Sequence, residues 1–286
     1  MEPTLLQILF LGIVQGAAEL LPVSSSAHVI VAEKLLGLDP SAPSMTFLLV
    51  MLHTGTMIAV ILYFWNAWKR TFFSNAASFR RMCLHVGSAT VMTLLVGLSL
   101  KVVIEKVILH GTTHDEMEDL FGHLPLVGAA LLAAGLLILA AGYLRSKNGH
   151  RELSLPSSIW IGASQGLCLP FRGLSRSGTT ISTGMLLGLS RQRVEEFSFA
   201  LAVVITPPAI AKELLRLLKS HAPDASSDHI GHLLAPGLIG MFGAFVAGLL
   251  ALKLLSRWLE KGHWAWFGWY CIAFAGFVFF LASRGL

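Results

Sequence analysis

Long runs of apolar residues dominate the chain, and six of them are long enough to cross a lipid bilayer. Crossing a bilayer as a helix takes about 20 mostly apolar residues. The pattern therefore predicts six transmembrane helices and an all-α fold. The six runs cover approximately residues 45–66, 83–105, 124–145, 195–218, 235–256 and 264–284.

Two further apolar regions, 4–37 and 156–189, are broken near their middles by Pro, Gly and Ser. Each half is too short to cross a bilayer alone. Irregular backbone at membrane depth is tolerated only where it is buried in protein or lines a cavity. We therefore predict that each region is a re-entrant helical hairpin.

The two broken regions resemble each other, which predicts an internal repeat. The first repeat is expected over 1–145 and the second over 156–286, each a hairpin followed by three spans. An odd number of spans inverts the second repeat relative to the first, and inverted repeats place a binding site near the bilayer midplane. Three matched segments carry this inference: Gly12-Ile-Val-Gln-Gly16 with Gly162-Ala-Ser-Gln-Gly166, Val23-Ser-Ser-Ser-Ala27 with Leu174-Ser-Arg-Ser-Gly178, and Leu35-Leu-Gly-Leu38 with Leu186-Leu-Gly-Leu189.

Composition agrees with a membrane protein and excludes a soluble class. The 286 residues are 55% hydrophobic and 13% charged, against about 25% charged in soluble domains. The net charge of +5 comes mostly from short loops, so positive-inside topology explains it and we expect no nucleic acid. The acidic loop 106–123 is expected on the opposite side, and the loop 219–234 fits this topology least well. The N-terminus lacks the pattern of a cleavable signal.

Polar side chains concentrate at the breaks of both hairpins. A carboxylate or an arginine at membrane depth costs about 2.5–3.5 kcal/mol and is retained when it is paired or faces a polar cavity. A structural ion pair between Glu19 and Arg176 would explain the charges, but it leaves the gathered hydroxyls unexplained. The two clusters contain Gln15, Glu19, Ser24, Ser25, Ser26 and His28 in the first hairpin, and Gln165, Arg172, Ser175, Arg176, Ser177, Thr179 and Thr180 in the second.

These residue types suit a phosphate group. The serine runs stand where helices are expected to start, and a helix N-terminus binds anions through free N–H groups and its dipole. Arg176 offers a planar fork for phosphate oxygens, and Glu19 could hold a divalent cation. His28 follows Ser25 by three residues, so we expect the imidazole beside that hydroxyl, as an activated nucleophile requires.

Other candidates are weaker. We expect His53 to be structural or to support the site indirectly, and the three cysteines to be inert. The acidic and histidine-bearing loop 106–123 is expected to be solvated. The aromatic group formed by Trp264, Trp266, Trp269 and Tyr270 is typical of an interfacial belt.

Two segments resemble the signatures of the undecaprenyl-diphosphate phosphatases, also called bacitracin-resistance proteins. The first is Gln15-Gly-Ala-Ala-Glu-Leu-Leu-Pro-Val-Ser-Ser-Ser-Ala-His28, and the second is Gly173-Leu-Ser-Arg-Ser-Gly-Thr-Thr-Ile-Ser182. The resemblance extends to chain length, repeat layout and span count. This chain departs from the signatures at two places. Gln15 replaces an acid of the first motif, and extra residues that include Arg172 precede the second motif. Arg172 has two alternative roles, a contact with phosphate and a contact with lipid headgroups.

The resemblance implies a multi-pass enzyme of the bacterial inner membrane, with a site open to the periplasmic side. Such an enzyme hydrolyses undecaprenyl diphosphate to the monophosphate carrier of peptidoglycan synthesis and confers bacitracin resistance. It further implies dependence on Mg²⁺ or Ca²⁺, held through Glu19 and the substituted Gln15. The expected partners are the lipid substrate and membrane lipid, with a homodimer as the candidate oligomer. The catalytic set falls on Ser25, His28, Glu19 and Arg176, and the substrate-binding set on Ser24, Ser26, Ser175, Ser177, Thr179 and Arg172.

Two chemical routes follow from this set. In one, Ser25 attacks the terminal phosphorus and water later releases phosphate; in the other, His28 or Glu19 activates water directly. A transporter or flippase of a polyprenyl phosphate or another anion is the main alternative function, because inverted repeats with broken midplane helices are also a transporter layout. A purely structural assembly subunit is the third candidate function.

Overall fold

The computed structural model describes residues 3–38, 43–104, 106, 123–145, 149–220 and 227–284. Regular structure in these residues is helical, apart from one isolated bridge between Arg151 and Leu189. The loop 106–123 lies almost wholly outside the described residues, as does most of the tip of the loop 219–234. The helices are α1 Leu5–Leu20, α2 Ser25–Leu35, α3 Pro43–Thr71, α4 Ala76–Val103, α5 Leu124–Leu144, α6 Leu155–Leu167, α7 Arg176–Leu186, α8 Arg191–Ser220, α9 Ser227–Glu260 and α10 Trp264–Ser283.

Six of these helices are long and apolar enough to cross a membrane, as predicted. They are α3, α4, α5, α8, α9 and α10. The four short helices come from the two interrupted regions. With 16 residues and 13 residues, α1 and α6 extend only about 24 Å and 20 Å at 1.5 Å per residue, less than the ~30 Å hydrocarbon core.

The basic ends of several helices meet at one end of the molecule. Arg191, at the start of α8, donates hydrogen bonds to the carbonyl oxygens of Leu259 and Arg145, which stand at the ends of α9 and α5. The indole of Trp68, near the end of α3, donates to the carbonyl of Glu196. These contacts gather loops rich in Lys and Arg on one side, in agreement with the predicted clustering.

The two short hairpins begin at opposite ends of the molecule. The backbone N–H of Arg151 donates to the carbonyl of Gly188 at 3.1 Å, so the chain enters α6 and leaves α7 at the basic end. In contrast, α1 runs parallel to α9, because Gly12 packs on Gly240 and Gly16 packs on Ala244. Since α9 finishes at the basic end, α1 starts at the other end.

Small residues allow the first helix of each hairpin to pack closely on a long helix. A Cβ added at Gly16 would lie 2.4 Å from the carbonyl oxygen of Ala244 on α9. A Cβ added at Gly162 would lie 2.2 Å from the carbonyl oxygen of Ala89 on α4. Close backbone approach of this kind is the usual way in which membrane helices associate. The matched Gly-x-x-x-Gly segments of the two hairpins therefore make equivalent contacts, with α9 and α4 respectively.

The hairpin tips meet between the long helices. Ser177 on α7 donates a hydrogen bond to the carbonyl of Leu21, at the turn after α1. The backbone N–H of Gly173 donates to the hydroxyl of Ser26 at 3.2 Å. Gly173 has φ +103, and a Cβ there would lie 2.3 Å from the carbonyl oxygen of Val127, so only glycine fits this crossing. The contacts bring segments about 150 residues apart into one polar centre.

Candidate active site

A carboxylate from the first hairpin and a guanidinium from the second form the centre of the site. The Nη2 group of Arg176 lies 2.5 Å from Oε1 of Glu19. The side chains of Arg176 and Glu19 are 22% and 16% exposed, so both charges are largely withdrawn from solvent and compensate each other. The ion pair that the sequence analysis considered as a structural alternative is therefore present, and it joins the two hairpin tips.

Glu19 also holds the first serine of α2. The hydroxyl of Ser25 donates to Oε2 of Glu19 at 2.5 Å, a short hydrogen bond. The amide of Gln15, one turn earlier on α1, donates to the same oxygen at 3.4 Å. A carboxylate at hydrogen-bond distance from a hydroxyl can accept its proton, which is the contact that an activated serine needs.

The loop before α2 presents this serine in an unusual conformation. Ser24 has φ 68, and it is the only residue other than glycine with a positive φ among the described residues. Strained backbone of this kind clusters at functional sites. The Ser24 hydroxyl lies 3.2 Å from that of Ser26, so Ser24 contacts Ser26, while Ser25 binds Glu19 and Ser26 binds the opposite hairpin.

The predicted contact between His28 and Ser25 is wrong. Nδ1 of His28 lies 2.8 Å from the carbonyl oxygen of Ser24, and Nε2 lies 2.7 Å from the hydroxyl of Tyr270. A carbonyl can only accept, so Nδ1 carries the proton and Nε2 of the neutral ring accepts from Tyr270. His28 therefore braces the serine turn against α10, and its catalytic role stays a prediction.

The aromatic residues of α10 divide between two environments. Trp266 and Trp269 are more than half exposed, as a belt requires, but Trp264 is fully buried and donates to the hydroxyl of Ser182. Tyr270 binds His28, while Phe274 stacks on the same imidazole with ring centroids 4.0 Å apart. The contact between His28 and Tyr270 was not predicted, because the two residues are 242 positions apart and no local pattern links them.

Several hydroxyls predicted to bind substrate are instead buried in the second hairpin. Ser175 caps α7 by accepting from the N–H of Gly178, and Ser177 donates to the backbone of the first hairpin. Both are 2% exposed, as is Thr179, so in this arrangement they shape the tip. Gln165 donates to Thr93 on α4, away from the serines.

Arg172 is half-buried in the loop before α7. Its positive charge favours the ionised form of the Glu33 carboxylate, which is 7% exposed on α2. This interaction was not predicted from the sequence. Whether Arg172 contacts phosphate stays a prediction.

A small recess adjoins the Glu19–Arg176 pair on the side of α3 and α8. It is lined by Glu19, Arg176, His53, Thr56, Val203 and Thr206, among others. Position 53 was expected to be structural or supporting, and the structure places it beside the central pair.

Comparison with known proteins identifies the family to which these hairpins belong. A family model described as "Bacitracin resistance protein BacA" matches residues 8–277. This chain belongs to the BacA family. Its relatives include "Undecaprenyl-diphosphatase 2" of Acinetobacter baylyi, 56% identical, covering 97% of this chain and 98% of the relative. An "Undecaprenyl-diphosphatase" of Desulfosudis oleivorans is 33% identical over 99% of this chain and 100% of the relative.

The divalent cation expected from the BacA family does not fit Glu19 as the structure presents it. Oε1 faces a guanidinium and Oε2 accepts from Ser25 and Gln15. Mg²⁺ usually binds one or two carboxylates together with waters and substrate phosphate oxygens, but both oxygens of Glu19 are engaged in this arrangement. Within the described ranges, no group of three His, Cys, Asp or Glu side chains could hold a metal ion. The dependence on Mg²⁺ or Ca²⁺ therefore stays a prediction.

Proposed function

We propose that this BacA-family protein hydrolyses undecaprenyl diphosphate to undecaprenyl phosphate and inorganic phosphate. It is a membrane hydrolase in this account, and it returns the lipid carrier to peptidoglycan synthesis, which is the basis of bacitracin resistance. The observation that supports the proposal most strongly is the hydrogen bond from Ser25 to Glu19, formed beside the guanidinium of Arg176.

The fold suits a substrate with a charged head and a lipid tail. The two hairpins start from opposite ends and meet at their tips, which supports two inverted repeats with re-entrant hairpins. The prenyl chain would stay in the bilayer while the diphosphate reaches the hairpin tips. The basic end would face the cytoplasm, and the site would open toward the periplasm, as the family resemblance implies.

The first chemical step uses Ser25 as the nucleophile. Its oxygen attacks the terminal phosphorus while its proton passes to Glu19, and the bond from phosphorus to the bridging oxygen breaks. The lipid monophosphate leaves with the electron pair. Arg176 shifts part of its hydrogen bonding from Glu19 to the phosphoryl oxygens, since guanidinium forks match phosphate geometry. Charge stabilisation and positioning supply most of the catalysis in phosphoryl transfer.

The second candidate function is transport of a polyprenyl phosphate. Helical hairpins that enter from opposite ends and meet at the centre favour it, because transporters share this layout. Catalysis and transport predict different products, so they can be separated without a membrane.

Purified protein in detergent should release inorganic phosphate from undecaprenyl diphosphate. A detergent micelle has no second compartment, so phosphate release requires hydrolysis. We expect multiple turnovers by the wild-type chain, measured as free phosphate, with and without added Mg²⁺ or Ca²⁺ to test the predicted cation dependence. A protein that binds the lipid and releases no phosphate under any of these conditions would instead be a transporter or a structural subunit.

A further inference from the structure

The recess beside the Glu19–Arg176 pair is lined by the same carboxylate that accepts the hydrogen bond from Ser25. Its walls come from α3, which contributes His53 and Thr56, and from α8, which contributes Val203 and Thr206. A water molecule in the recess would therefore lie next to the carboxylate that holds Ser25. Transfer of the phosphoryl group to Ser25 uses none of the α3 or α8 residues of the recess.

The α3 wall offers hydrogen-bond acceptors. Nδ1 of His53 lies 2.8 Å from the carbonyl oxygen of Leu49, so Nδ1 carries the proton and Nε2 keeps a lone pair. The hydroxyl of Thr56 donates to the carbonyl of His53 at 2.9 Å, so its remaining capacity is also as an acceptor. Both side chains are held by their own helix.

The α8 wall offers another acceptor, because the helix contains Pro207 and Pro208. Pro207 has no N–H, so the carbonyl of Val203 lacks the donor that a regular helix would supply. At membrane depth such a freed carbonyl needs another partner. Val203 and Thr206 line the recess in this interrupted turn.

The central pair contributes a donor. Arg176 commits Nη2 to Glu19, while its Nη1 is buried with no hydrogen-bond partner among the described residues. A buried unpaired N–H indicates an additional partner such as ordered water. An anion in the recess would be repelled by Glu19 and by the acceptors, and a cation would be repelled by Arg176. A water molecule, which both donates and accepts, satisfies the whole set.

We propose that this recess binds the water molecule that hydrolyses the phosphorylated Ser25, with Nε2 of His53 as its hydrogen-bond acceptor. The inference rests on the proposed phosphatase function and adds a binding site and a catalytic residue to it. In this step the water oxygen forms a bond to phosphorus and the bond from Ser25 Oγ to phosphorus breaks. Ser25 Oγ takes back the proton held by Glu19, and one water proton passes to His53, which returns it to the departing phosphate.

The test compares His53→Leu and His53→Gln with the wild type on undecaprenyl diphosphate in detergent. His53→Leu removes the acceptor, so kcat should fall about 100-fold, as loss of a general base does. Because the phosphoenzyme then accumulates, KM should fall together with kcat, and kcat/KM should change less than about threefold. The amide oxygen of His53→Gln can accept a hydrogen bond, and this variant should recover part of the lost rate. Thr54→Val on the same helix is the control, because among the described residues the hydroxyl of Thr54 donates to the carbonyl of Val50 on its own helix.

The decisive readout is the enzyme species that accumulates. Because only the water step is slowed, rapid quenching of His53→Leu with substrate labelled in the terminal phosphate should show nearly one phosphate bound per enzyme molecule. A lower kcat without this accumulation, a rise in KM alone, or an unchanged rate would overturn the inference. Phosphate release by the wild type is measured alongside, so failure of the inference is distinguishable from failure of the proposed function.

Discussion

Arg176→Ala is expected to lower kcat for phosphate release by about 10³-fold or more, the range found for arginines that stabilise phosphoryl transfer. The guanidinium is the positive side chain in direct contact with Glu19, and no other cation among the described residues forms an ion pair with this carboxylate. Arg176→Lys should recover little, because an ammonium cannot reproduce the planar fork. The measurement is free phosphate released per minute by purified protein.

Arg176→Ala should also destabilise the protein, because it leaves Glu19 without its counter-charge. Breaking a buried pair from one side costs about 3 kcal/mol. The double variant Arg176→Ala with Glu19→Gln removes both charges, so it should regain resistance to thermal unfolding in detergent while remaining inactive. Lys69→Ala is the control, because Lys69 is exposed in the last turn of α3. Normal turnover in Arg176→Ala would refute the role of this arginine.

Ser25→Ala is expected to reduce phosphate release at least about 10³-fold, as losses of catalytic nucleophiles do. The change removes one hydroxyl and leaves the Glu19–Arg176 pair in place, so folding and lipid binding should be nearly unchanged. The measurement combines phosphate release with binding of undecaprenyl diphosphate. A large loss of turnover with retained binding identifies a chemical role.

Ser88→Ala provides the matched control for Ser25→Ala. Ser88 donates only to the carbonyl of His85 on its own helix, so its removal should leave turnover close to that of the wild type. If Ser25→Ala hydrolysed the lipid at a near-normal rate, water would have to attack phosphorus directly. Glu19 would then act on water in place of the serine.

The fold was accessible from sequence because lipid imposes strong constraints. A run such as 124–145 has few structures open to it in a bilayer, since every backbone polar group must be bonded internally. The breaks at Pro22 and Gly173 identified the two hairpins for the same reason. The ends of the long helices were less constrained, because the bilayer does not limit how far a helix continues beyond it. Helix α3 ends at Thr71, beyond the predicted end near 66.

The site was predictable only as a set of residues. Glu19 and Arg176 were expected in one polar site because each is costly alone at membrane depth, but their direct pairing was only an alternative to binding a cation and phosphate. The partner of Ser25 was misassigned, because helical spacing placed His28 nearby while tertiary packing turned its ring toward Tyr270. Contacts of this kind join distant segments, and no local pattern along the chain encodes them.

Chemical cross-linking tests whether the two hairpin tips meet, without relying on activity. The native Cys83, Cys168 and Cys271 are replaced, cysteines are placed at positions 25 and 176, and a protease site is inserted between the halves of the chain. A short bifunctional thiol reagent should keep the halves joined after cleavage. The pair at 25 and 151 is the control, since Arg151 lies at the basic end beside Gly188. Cysteines 25 and 176 that react singly but never link would contradict the account.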